Sequence, residues 1–385
     1  PVELEMPPET MEDEGLAELL PPTEVPRAAA AARDVDRAAE LLLGARAPLI
    51  YAGGGVHLSG GHDALAAVAE HLQAGVAQSA EGKGAVSDHN ALSLGAAYWR
   101  DSPLRNHVHE ADVVLAVGTR LALVTFKPGT RIVQIDADER EIGRSHKETL
   151  GLVGDARATL EALLERLRAA SPPRPSRKAE HEALRAKIDA DNTMEPNASI
   201  IKSLRAETPE NAILVAGMTQ IGYYSRPFWP VYEPRTYLSS SYSGNLGYAY
   251  PVALGAKVAR PDRPVVSVSG DGGFLFNAQE LSTAARYGIN VVAVVFNDSS
   301  YGNVARDLDE SWGGQYGAEL KNPDFMKLAD AYGVLGMRAK EPTEVGRLVR
   351  EAIDKDRPAL VEVPVGRMSR PMFFAPRRTP TKHPR

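Results

Sequence analysis

Cysteine is absent from the 385 residues of this chain. Its absence excludes disulfide bonds, thiolate nucleophiles, thiolate-ligated zinc and iron–sulfur clusters, and it is typical of a reducing compartment. The sequence also lacks a continuous apolar run of about 18 residues, and it shows no basic start followed by an apolar stretch. We therefore expect a cytoplasmic protein that makes no contact with a membrane.

An excess of basic charge is missing too. The 44 Lys and Arg side chains are outnumbered by 50 Asp and Glu, which gives a net charge of −6. Surfaces that bind nucleic acid are basic, so no nucleic-acid partner is expected. The phosphate-binding loop of nucleoside triphosphatases, Gly-x-x-x-x-Gly-Lys-Ser/Thr, does not occur in the sequence, which excludes that kind of phosphate site.

What the sequence contains is an alternation of helical and β-type segments, which predicts an α/β fold. The chain is 43% hydrophobic and long enough for two domains, each with a core of its own. We predict two Rossmann-like, three-layer domains with mainly parallel sheets. The predicted organisation is a proline-broken linker over 1–34, a middle domain over 35–170, a second linker over 171–195, a second α/β domain over 196–368, and a basic tail or lid over 369–385.

Short apolar runs that end in glycine, serine or acidic residues predict the strands. In the first domain these runs are 48–52, 75–78, 112–117 and 131–135, followed by a closing helix over 159–167. In the second domain they are 213–216, 236–239, 265–269, 291–297 and 359–363. The proline-rich segment Ser171–Ser176 cannot continue a helix and predicts the connection between the domains.

The strongest local signal lies in the second domain. The sequence Ser269-Gly-Asp-Gly-Gly-Phe274 follows one apolar run, and Asn297-Asp298 ends the next one. Because parallel strands end at the same edge of a sheet, Asp271 and Asp298 are expected on neighbouring strands, about 4.8 Å apart. Two carboxylates at this spacing can share one Mg²⁺, which prefers few protein ligands together with phosphate oxygens. The pattern therefore predicts a site for a magnesium ion and a diphosphate.

Glycines and a predicted helix accompany the two carboxylates. Gly272 and Gly273 leave their backbone N–H groups accessible to a phosphate. The following helix is predicted to start at Asn277, with Glu280 as its capping-box partner, and to end at Gly288. Gly-Asp-Gly alone is more often a tight turn with surface acids, but the spacing of the whole pattern favours the metal site.

This spaced pattern resembles that of the thiamine diphosphate-dependent decarboxylases and carboligases of the acetolactate synthase and pyruvate decarboxylase type. In that family Gly-Asp-Gly is followed further along the chain by Asn-Asn or Asn-Asp. The resemblance implies that thiamine diphosphate and Mg²⁺ are the cofactors, and that the side chains of Asp271 and Asp298 and the carbonyl of Ser300 bind the metal. It also implies that the cofactor is contacted by Gly270, Gly272, Gly273, Asn297, Tyr301 and Gly302.

Two upstream segments extend the resemblance. The segment Ser243–Ala256 is similar to the family pattern Gly-x-Met/Leu/Ile-Gly-x-x-x-Pro, and it places Asn245 and Leu246 beside the cofactor. In the family, the residue at the position of Leu246 wedges between the two cofactor rings and holds them in the reactive geometry. The loop that contains Met218 and Thr219 is similar to the loop on the diphosphate side. Synthase members have Gln-His at these two positions, which leaves the substrate open.

The first domain is similar to the middle domain of the family, which binds FAD or a nucleotide in some members. The similar segments include Gly53–Gly55, Gly82–Gly84, Asp88-His89, Leu94-Gly95, Val117–Arg120 and Ile135–Asp138. Flavin-type members have Met-His-Gly and Arg-Phe-Asp-Asp-Arg where this chain has Ala96-Ala97-Tyr98 and Thr119–Leu123, so FAD is not expected. The glycine spacing also misses Gly-x-Gly-x-x-Gly, which makes a nicotinamide or flavin oxidoreductase the less favoured reading.

The third domain of the family, an N-terminal pyrimidine-binding domain that carries the activating glutamate, is not recognised in this sequence. Pro1–Pro7 is similar to the last strand of such a domain, so we expect a fragment that is inactive alone. We predict an acetolactate synthase-like decarboxylase or carboligase of small 2-oxo acids that forms a homodimer or homotetramer. The alternatives are a non-catalytic diphosphate-binding or regulatory subunit and a benzoylformate decarboxylase-like lyase.

Overall fold

The computed structural model describes residues 3–16, 18–23, 26–96, 102–122, 124–240 and 243–368. Its helices are α1 (Pro8–Glu12), α2 (Ala32–Leu43), α3 (Gly54–Ser59), α4 (His62–Leu72), α5 (Pro103–Glu110), α6 (Ala156–Ala170), α7 (Lys178–Ala190), α8 (Asn197–Glu207), α9 (Gln220–Phe228), α10 (Ala249–Ala259), α11 (Asp271–Leu275), α12 (Glu280–Tyr287), α13 (Gly302–Trp312), α14 (Phe325–Ala331) and α15 (Val345–Asp354). Its strands are β1 (Pro48–Ala52), β2 (Gly75–Gln78), β3 (Ser93–Ala96), β4 (Val113–Val117), β5 (Arg131–Asp136), β6 (Thr149–Val153), β7 (Ile213–Ala216), β8 (Tyr237–Ser239), β9 (Val265–Gly270), β10 (Val291–Asn297), β11 (Leu335–Arg338) and β12 (Ala359–Pro364).

The first sheet has the strand order of a Rossmann fold. Within the described residues, six parallel strands lie in the order β3-β2-β1-β4-β5-β6. Apolar residues of α2, α4 and α6 pack on one face of the sheet, and residues of α5 and α7 pack on the other. The helices cover both faces because the central strands are apolar on both sides, which confirms the three-layer prediction.

The second sheet is also built from parallel strands. In the described part of the chain it has six, in the order β11-β12-β10-β9-β7-β8. One core, with α8, α9 and α15, covers one face, and a second core, with α10, α12 and α14, covers the other. From β7 the chain runs to β8 on one side, and it then returns to β9 on the other side of β7. The connections that follow β7 and β9 therefore lead to opposite sides, and the gap between these two strands is a switch point. Open α/β sheets bind their ligands at such a switch point.

Three strands were not predicted from the sequence: β3, β6 and β11. All three lie at edges of their sheets. β6 and β11 are partly exposed, and β3 is a four-residue segment that includes a serine and two small residues. Such strands do not form the continuous apolar runs that mark the central strands.

The region predicted as the second linker, 171–195, contains the helix α7. Residues 171–177 before this helix, which include the prolines, and residues 191–195 after it form no helix or strand. Two buried residues of α7, His181 and Ile188, anchor it to the first domain. The first linker contains the short exposed helix α1, and α2 begins at Ala32, three residues before the predicted domain start. The predicted tail, 369–385, lies outside the described residues.

The predicted capping box was wrong. The chain forms the short helix α11 directly after β9, and α12 begins at Glu280 without a side-chain cap. Asn277 instead donates from Nδ2 to the carbonyl of Gly247, at 2.6 Å, because the loop before α10 lies against it. The carboxylate of Glu280 accepts a hydrogen bond from Thr283. The predicted end at Gly288 is confirmed, with φ of 61° in the left-handed region.

Asp88 joins the two domains through main-chain and side-chain hydrogen bonds. Its N–H donates to the carbonyl of Val231 at 2.9 Å, and its Oδ2 accepts from the N–H of Val231 at 2.7 Å. Its other carboxylate oxygen accepts from Ser93, and its carbonyl accepts from Arg185. One side chain therefore bonds residues of both domains.

None of the helices in the described ranges has the length and apolar character needed to cross a bilayer.

Candidate cofactor site

A cavity of about 250 Å³ lies at the carboxyl edge of the second sheet, beside the switch point between β7 and β9. The loops that follow β7, β9 and β10 form most of its wall. Eleven of the residues singled out in the sequence line it: Met218, Thr219, Leu246, Gly270, Asp271, Gly272, Gly273, Asp298, Ser300, Tyr301 and Gly302. Segments that are far apart in the sequence therefore meet in one place.

Three helices begin at this cavity, each close behind a strand. α9 begins at Gln220 after β7, α11 begins at Asp271 after β9, and α13 begins at Gly302 after β10, and all three residues line the cavity. The first N–H groups of a helix have no acceptor within the helix and carry a partial positive charge. Three such ends around one cavity suit a ligand with several negative oxygens, such as a diphosphate.

The two predicted carboxylates lie in this wall. Phe296 pairs with Gly270 in the parallel register of β9 and β10, so Asp271 and Asp298 follow neighbouring strand ends. Asp271 is 1% exposed, and Asp298 is more than half buried. Burial, and then the negative charge of Asp271, raise the pKa of Asp298 to about 6. The cavity thus holds negative charge that is poorly solvated, which a bound cation would stabilise.

Asn322 holds the Asp271 carboxylate in place. Its Nδ2 donates to Oδ2 of Asp271 at 2.6 Å and to Oδ1 of Asn297 at 2.9 Å. Its own Oδ1 is buried and has no hydrogen-bond partner among the described residues. Sequence reasoning missed this residue, because its only local signal is the Asn322-Pro323 pair of an ordinary turn.

The loop after β10 has an unusual backbone conformation. Ser299 has φ of 53°, in the left-handed region that residues other than glycine seldom adopt, and its N–H donates to Oδ1 of Asn297 at 3.2 Å. The N–H of Tyr301 donates to the carbonyl of Ala318, and the carbonyl of Ser299 accepts from Leu320, both at 2.8 Å. These bonds hold Asp298, Ser300 and Tyr301 at the cavity. Strained backbone that the surrounding structure enforces is typical of binding sites.

Two glycines are required by close approach within the wall. A Cβ atom at Gly272 would lie 2.5 Å from Cε1 of Tyr301, and one at Gly302 would lie 2.7 Å from Oδ2 of Asp298. Both distances are shorter than real Cβ contacts, so neither position accepts a side chain without movement. The missing side chains let the tyrosine ring and the carboxylate lie against the backbone.

Leu246 lies in the cavity wall rather than in a core. Its side chain is 41% exposed, and its Cδ2 would lie 3.7 Å from a Cβ at Gly273. The next residue, Gly247, has φ of 75° and is held by Asn277. A partly exposed leucine next to the fixed Gly247 fits the predicted contact with a ligand better than a role in folding.

Two predicted cofactor residues do not line the cavity. The Oδ1 of Asn245 accepts from Ser240 at 3.0 Å, and the Nδ2 of Asn297 donates to Glu362 at 2.8 Å. Both side chains brace loops of the site, and their contact with a cofactor stays a prediction. Sequence reasoning also missed cavity residues that lie close to the predicted ones in the sequence or come from the end of the domain: Gln220, Tyr223, Gly244, Phe296, Asn303, Val304, Val365 and Met368.

The glycines of the first domain are explained by packing at its own switch point. A Cβ at Gly53 would lie 2.3 Å from the carbonyl oxygen of Gly118, and one at Gly55 would lie 2.6 Å from the Cα of Gly118. The loops after β1 and β4 therefore touch each other.

Part of the departure from the flavin pattern, Ala97-Tyr98 and Leu123, lies outside the described residues. The absence of FAD therefore stays a prediction.

Fold and cavity together define a class: an α/β protein whose second domain has, at a switch point of its sheet, a cavity suited to a diphosphate. Comparison with known families agrees. The family model described as "Thiamine pyrophosphate enzyme, central domain" matches residues 35–163, and "Thiamine pyrophosphate enzyme, C-terminal TPP binding domain" matches 217–363. The two matches together cover most of the chain, which belongs to the thiamine pyrophosphate enzyme family. This confirms the resemblance drawn from the sequence.

Curated relatives agree with the family. The chain is 30% identical over 365 residues to a probable acetolactate synthase large subunit of Methanococcus aeolicus, and 33% identical over 350 residues to one of Methanocaldococcus jannaschii. Each match covers 86% of this chain. It is also 34% identical over 334 residues, or 85% of this chain, to a probable 2-ketoarginine decarboxylase of Pseudomonas aeruginosa. The chain spans about three fifths of the length of these relatives, 60%, 59% and 59% in turn.

Proposed function

We propose that this chain is the middle and cofactor-binding part of a thiamine diphosphate- and Mg²⁺-dependent enzyme that breaks or forms a bond beside the 2-oxo group of small 2-oxo acids. One observation carries the proposal: Asp271 and Asp298 lie in the same cavity as three helix N-termini. A diphosphate needs backbone donors and positive charge, and its metal ion needs hard oxygen ligands. This cavity supplies both.

The residues of the cavity fit the metal ion. The raised pKa of Asp298 shows that its carboxylate is poorly stabilised by the protein alone, and a divalent cation would remove that cost. The side chains of Asp271 and Asp298 and the carbonyl of Ser300 would bind Mg²⁺. The described residues contain no group of three or more His, Cys, Asp or Glu side chains suited to a metal. Two carboxylates that leave room for phosphate oxygens and water match the preference of Mg²⁺.

The remaining cavity residues would bind and orient the organic cofactor. When bound, thiamine diphosphate supplies the nucleophilic carbon that adds to a 2-oxo group and accepts the electron pair left by carbon dioxide. The N–H groups of Gly272 and Gly273 would face the diphosphate, with Tyr301 and Gly302 beside it. Leu246 would press against the cofactor rings and help to orient them for reaction.

We propose that the other half of the site comes from outside this chain. The resemblance implies a glutamate on a pyrimidine-binding domain, and the chain spans only about three fifths of its relatives. If this proposal is correct, the chain alone, residues 1–385, releases no carbon dioxide from pyruvate. A homodimer or homotetramer would complete the cavity, which agrees with the exposure of Leu246, Phe276 and Val304. Light scattering of the full-length gene product tests that assembly.

Calorimetry tests the metal and cofactor assignment. The full-length gene product that contains this chain is titrated with thiamine diphosphate, in Mg²⁺ and again in excess chelator. We expect binding to depend on Mg²⁺ and to fall sharply in Asp271→Ala. Asp262→Ala is the matched control, because Asp262 is exposed and lies before β9, at the opposite edge of the sheet. Equal affinity in chelator, or equal loss in both variants, would contradict the proposal.

A further inference from the structure

Glu362 is a buried carboxylate that does not line the cavity. It belongs to β12, the strand that pairs with β10, and only 4% of the residue is exposed. Its Oε1 accepts from Nδ2 of Asn297 at 2.8 Å, and its Oε2 accepts from Nε of Arg338 at 2.6 Å. An ionised carboxylate accepts hydrogen bonds and donates none. Glu362 therefore requires the amide of Asn297 to face it with the nitrogen end.

The oxygen end of the Asn297 amide faces the loops of the cavity. Its Oδ1 accepts from the N–H of Ser299 at 3.2 Å and from Nδ2 of Asn322 at 2.9 Å. The first bond holds the left-handed residue that directly follows Asp298. The second bond leads to Asp271, because the same Nδ2 of Asn322 also donates to Oδ2 of Asp271, at 2.6 Å. One amide is therefore connected to both carboxylates of the cavity.

The sequence of donors and acceptors fixes the orientation of both amides. If the Asn297 amide were reversed, its nitrogen would face two donors, the N–H of Ser299 and Nδ2 of Asn322, and neither bond would form. If Asn322 were reversed as well, its Oδ1 would face the carboxylate of Asp271, oxygen against oxygen. Both arrangements leave polar groups of the interior unpaired, which is costly. The negative charge of Glu362 thus selects the arrangement in which these three donors all meet acceptors.

We propose, on the basis of the proposed function, that Glu362 is a positioning residue for the magnesium site. It acts through Asn297 and Asn322, and it touches neither the metal ion nor the cofactor. The chain of hydrogen bonds that starts at Glu362 sets the geometry of Asp271 and of the loop after β10 before any ligand binds. Removing a hydrogen-bonding partner of a metal ligand typically lowers metal affinity about 10–100-fold.

Two double variants of the full-length gene product isolate the bond to Asn297. Glu362→Leu/Arg338→Met and Glu362→Gln/Arg338→Met both lose the ion pair, but only the second offers Asn297 an acceptor. Calorimetry measures how thiamine diphosphate binding depends on the Mg²⁺ concentration. We expect Mg²⁺ affinity to fall about 10–100-fold in Glu362→Leu/Arg338→Met and to stay close to that of wild type in Glu362→Gln/Arg338→Met. Equal Mg²⁺ affinity in the two double variants would overturn the inference.

Arg338→Met alone is the matched control. It removes the same ion pair but leaves the carboxylate in front of Asn297. Asp324, the other partner of Arg338, keeps its bond from the N–H of Met326. A role of Glu362 in folding alone predicts that all three variants lower the melting temperature and that none changes Mg²⁺ affinity, and that result would contradict the proposal.

A single variant keeps the test decisive if Glu362→Leu/Arg338→Met does not fold. Glu362→Gln keeps the volume of the side chain, and Arg338 still requires an oxygen from it. The nitrogen of the new amide then faces Asn297, donor against donor, so Mg²⁺ affinity should fall. Unchanged affinity in Glu362→Gln would refute the role of Glu362.

Hydrogen exchange separates this inference from the proposed function, because it needs neither metal ion nor cofactor. The N–H of Ser299 donates to Asn297, and the N–H of Leu320 donates to the carbonyl of Ser299. Both should exchange faster in Glu362→Leu/Arg338→Met than in Glu362→Gln/Arg338→Met. If no form of the protein binds thiamine diphosphate, the proposed function fails, but this difference still supports the positioning of the loop by Glu362. Equal exchange in the two variants would show that the chain of hydrogen bonds does not hold the loop, whatever the cofactor.

Discussion

Gly272 and Gly273 offer a matched test of how tightly the cavity wall is packed. Both are in α11, yet a Cβ at Gly272 would lie 2.5 Å from Cε1 of Tyr301 and 3.0 Å from Cδ1 of Leu320. The nearest atom to a Cβ at Gly273 is Cδ2 of Leu246, at the ordinary contact distance of 3.7 Å. We therefore expect Gly272→Ala to destabilise the protein and Gly273→Ala not to.

The expected magnitude combines two effects on the free energy of unfolding. Alanine is favoured over glycine in a helix by about 0.5–1 kcal/mol, and both variants receive this gain. Overpacking a well-packed site costs about 1–3 kcal/mol, and only Gly272→Ala has that cost. Gly273→Ala should be neutral or slightly stabilising. The difference between the two variants isolates the clash with Tyr301, at about 1–3 kcal/mol.

Thermal unfolding without cofactor measures this difference directly. For domains of this size, 1 kcal/mol changes Tm by about 2–4 °C, so the Tm of Gly272→Ala should lie about 2–12 °C below that of Gly273→Ala. Cofactor binding should also weaken in Gly272→Ala, because the Tyr301 ring must move. If the two variants had the same Tm, the tight contact between the ring and the backbone would be refuted.

Four further predictions concern the site and the domain interface. Mg²⁺ binds ionised carboxylates and competes with a proton on Asp298, whose pKa is about 6, so Mg²⁺ affinity should rise with pH through about 6 and then level off. Calorimetry between pH 5 and 8 checks this rise, and Asp298→Asn should flatten it. Leu246→Ala should leave diphosphate affinity nearly unchanged and lower kcat; a loss of unfolding free energy of about 2–5 kcal/mol, as for truncation of a core leucine, would instead make it a folding residue. Asp88→Ala should lower stability by about 1–3 kcal/mol, because the N–H of Val231 loses its acceptor at the domain interface; unchanged urea unfolding would show that this contact is unimportant. The purified protein should lack flavin absorbance, and a yellow preparation with stoichiometric FAD would prove that prediction wrong.

The central strands could be read from the sequence because parallel strands covered on both faces are continuous apolar runs. β1, β2, β7 and β10 begin and end where the sequence predicted. The edge strands β3, β6 and β11 were missed, since one side of such a strand is not buried by a neighbour. The helix α7 was not predicted, because the prolines before it indicated a longer linker than the chain forms.

The placement of the two cavity carboxylates could also be predicted from the sequence. Asp271 and Asp298 each follow an apolar run, and the right-handed connection between parallel strands requires both to lie at one edge of the sheet. Local sequence and one rule of chain geometry are sufficient for this placement. The same reasoning brought the glycines between them to the start of a helix.

Only the tertiary structure decided which other side chains complete the site. Asn322 contacts Asp271 from 51 positions away along the chain, and Glu362 contacts Asn297 from 65 positions away. Asn277 bonds Gly247 instead of capping its own helix. No periodicity or spacing marks these residues, because their partners are chosen by how separate loops pack together. The sequence by itself therefore determined most of the strands and the placement of the two carboxylates, while the packing of loops determined which side chains support them.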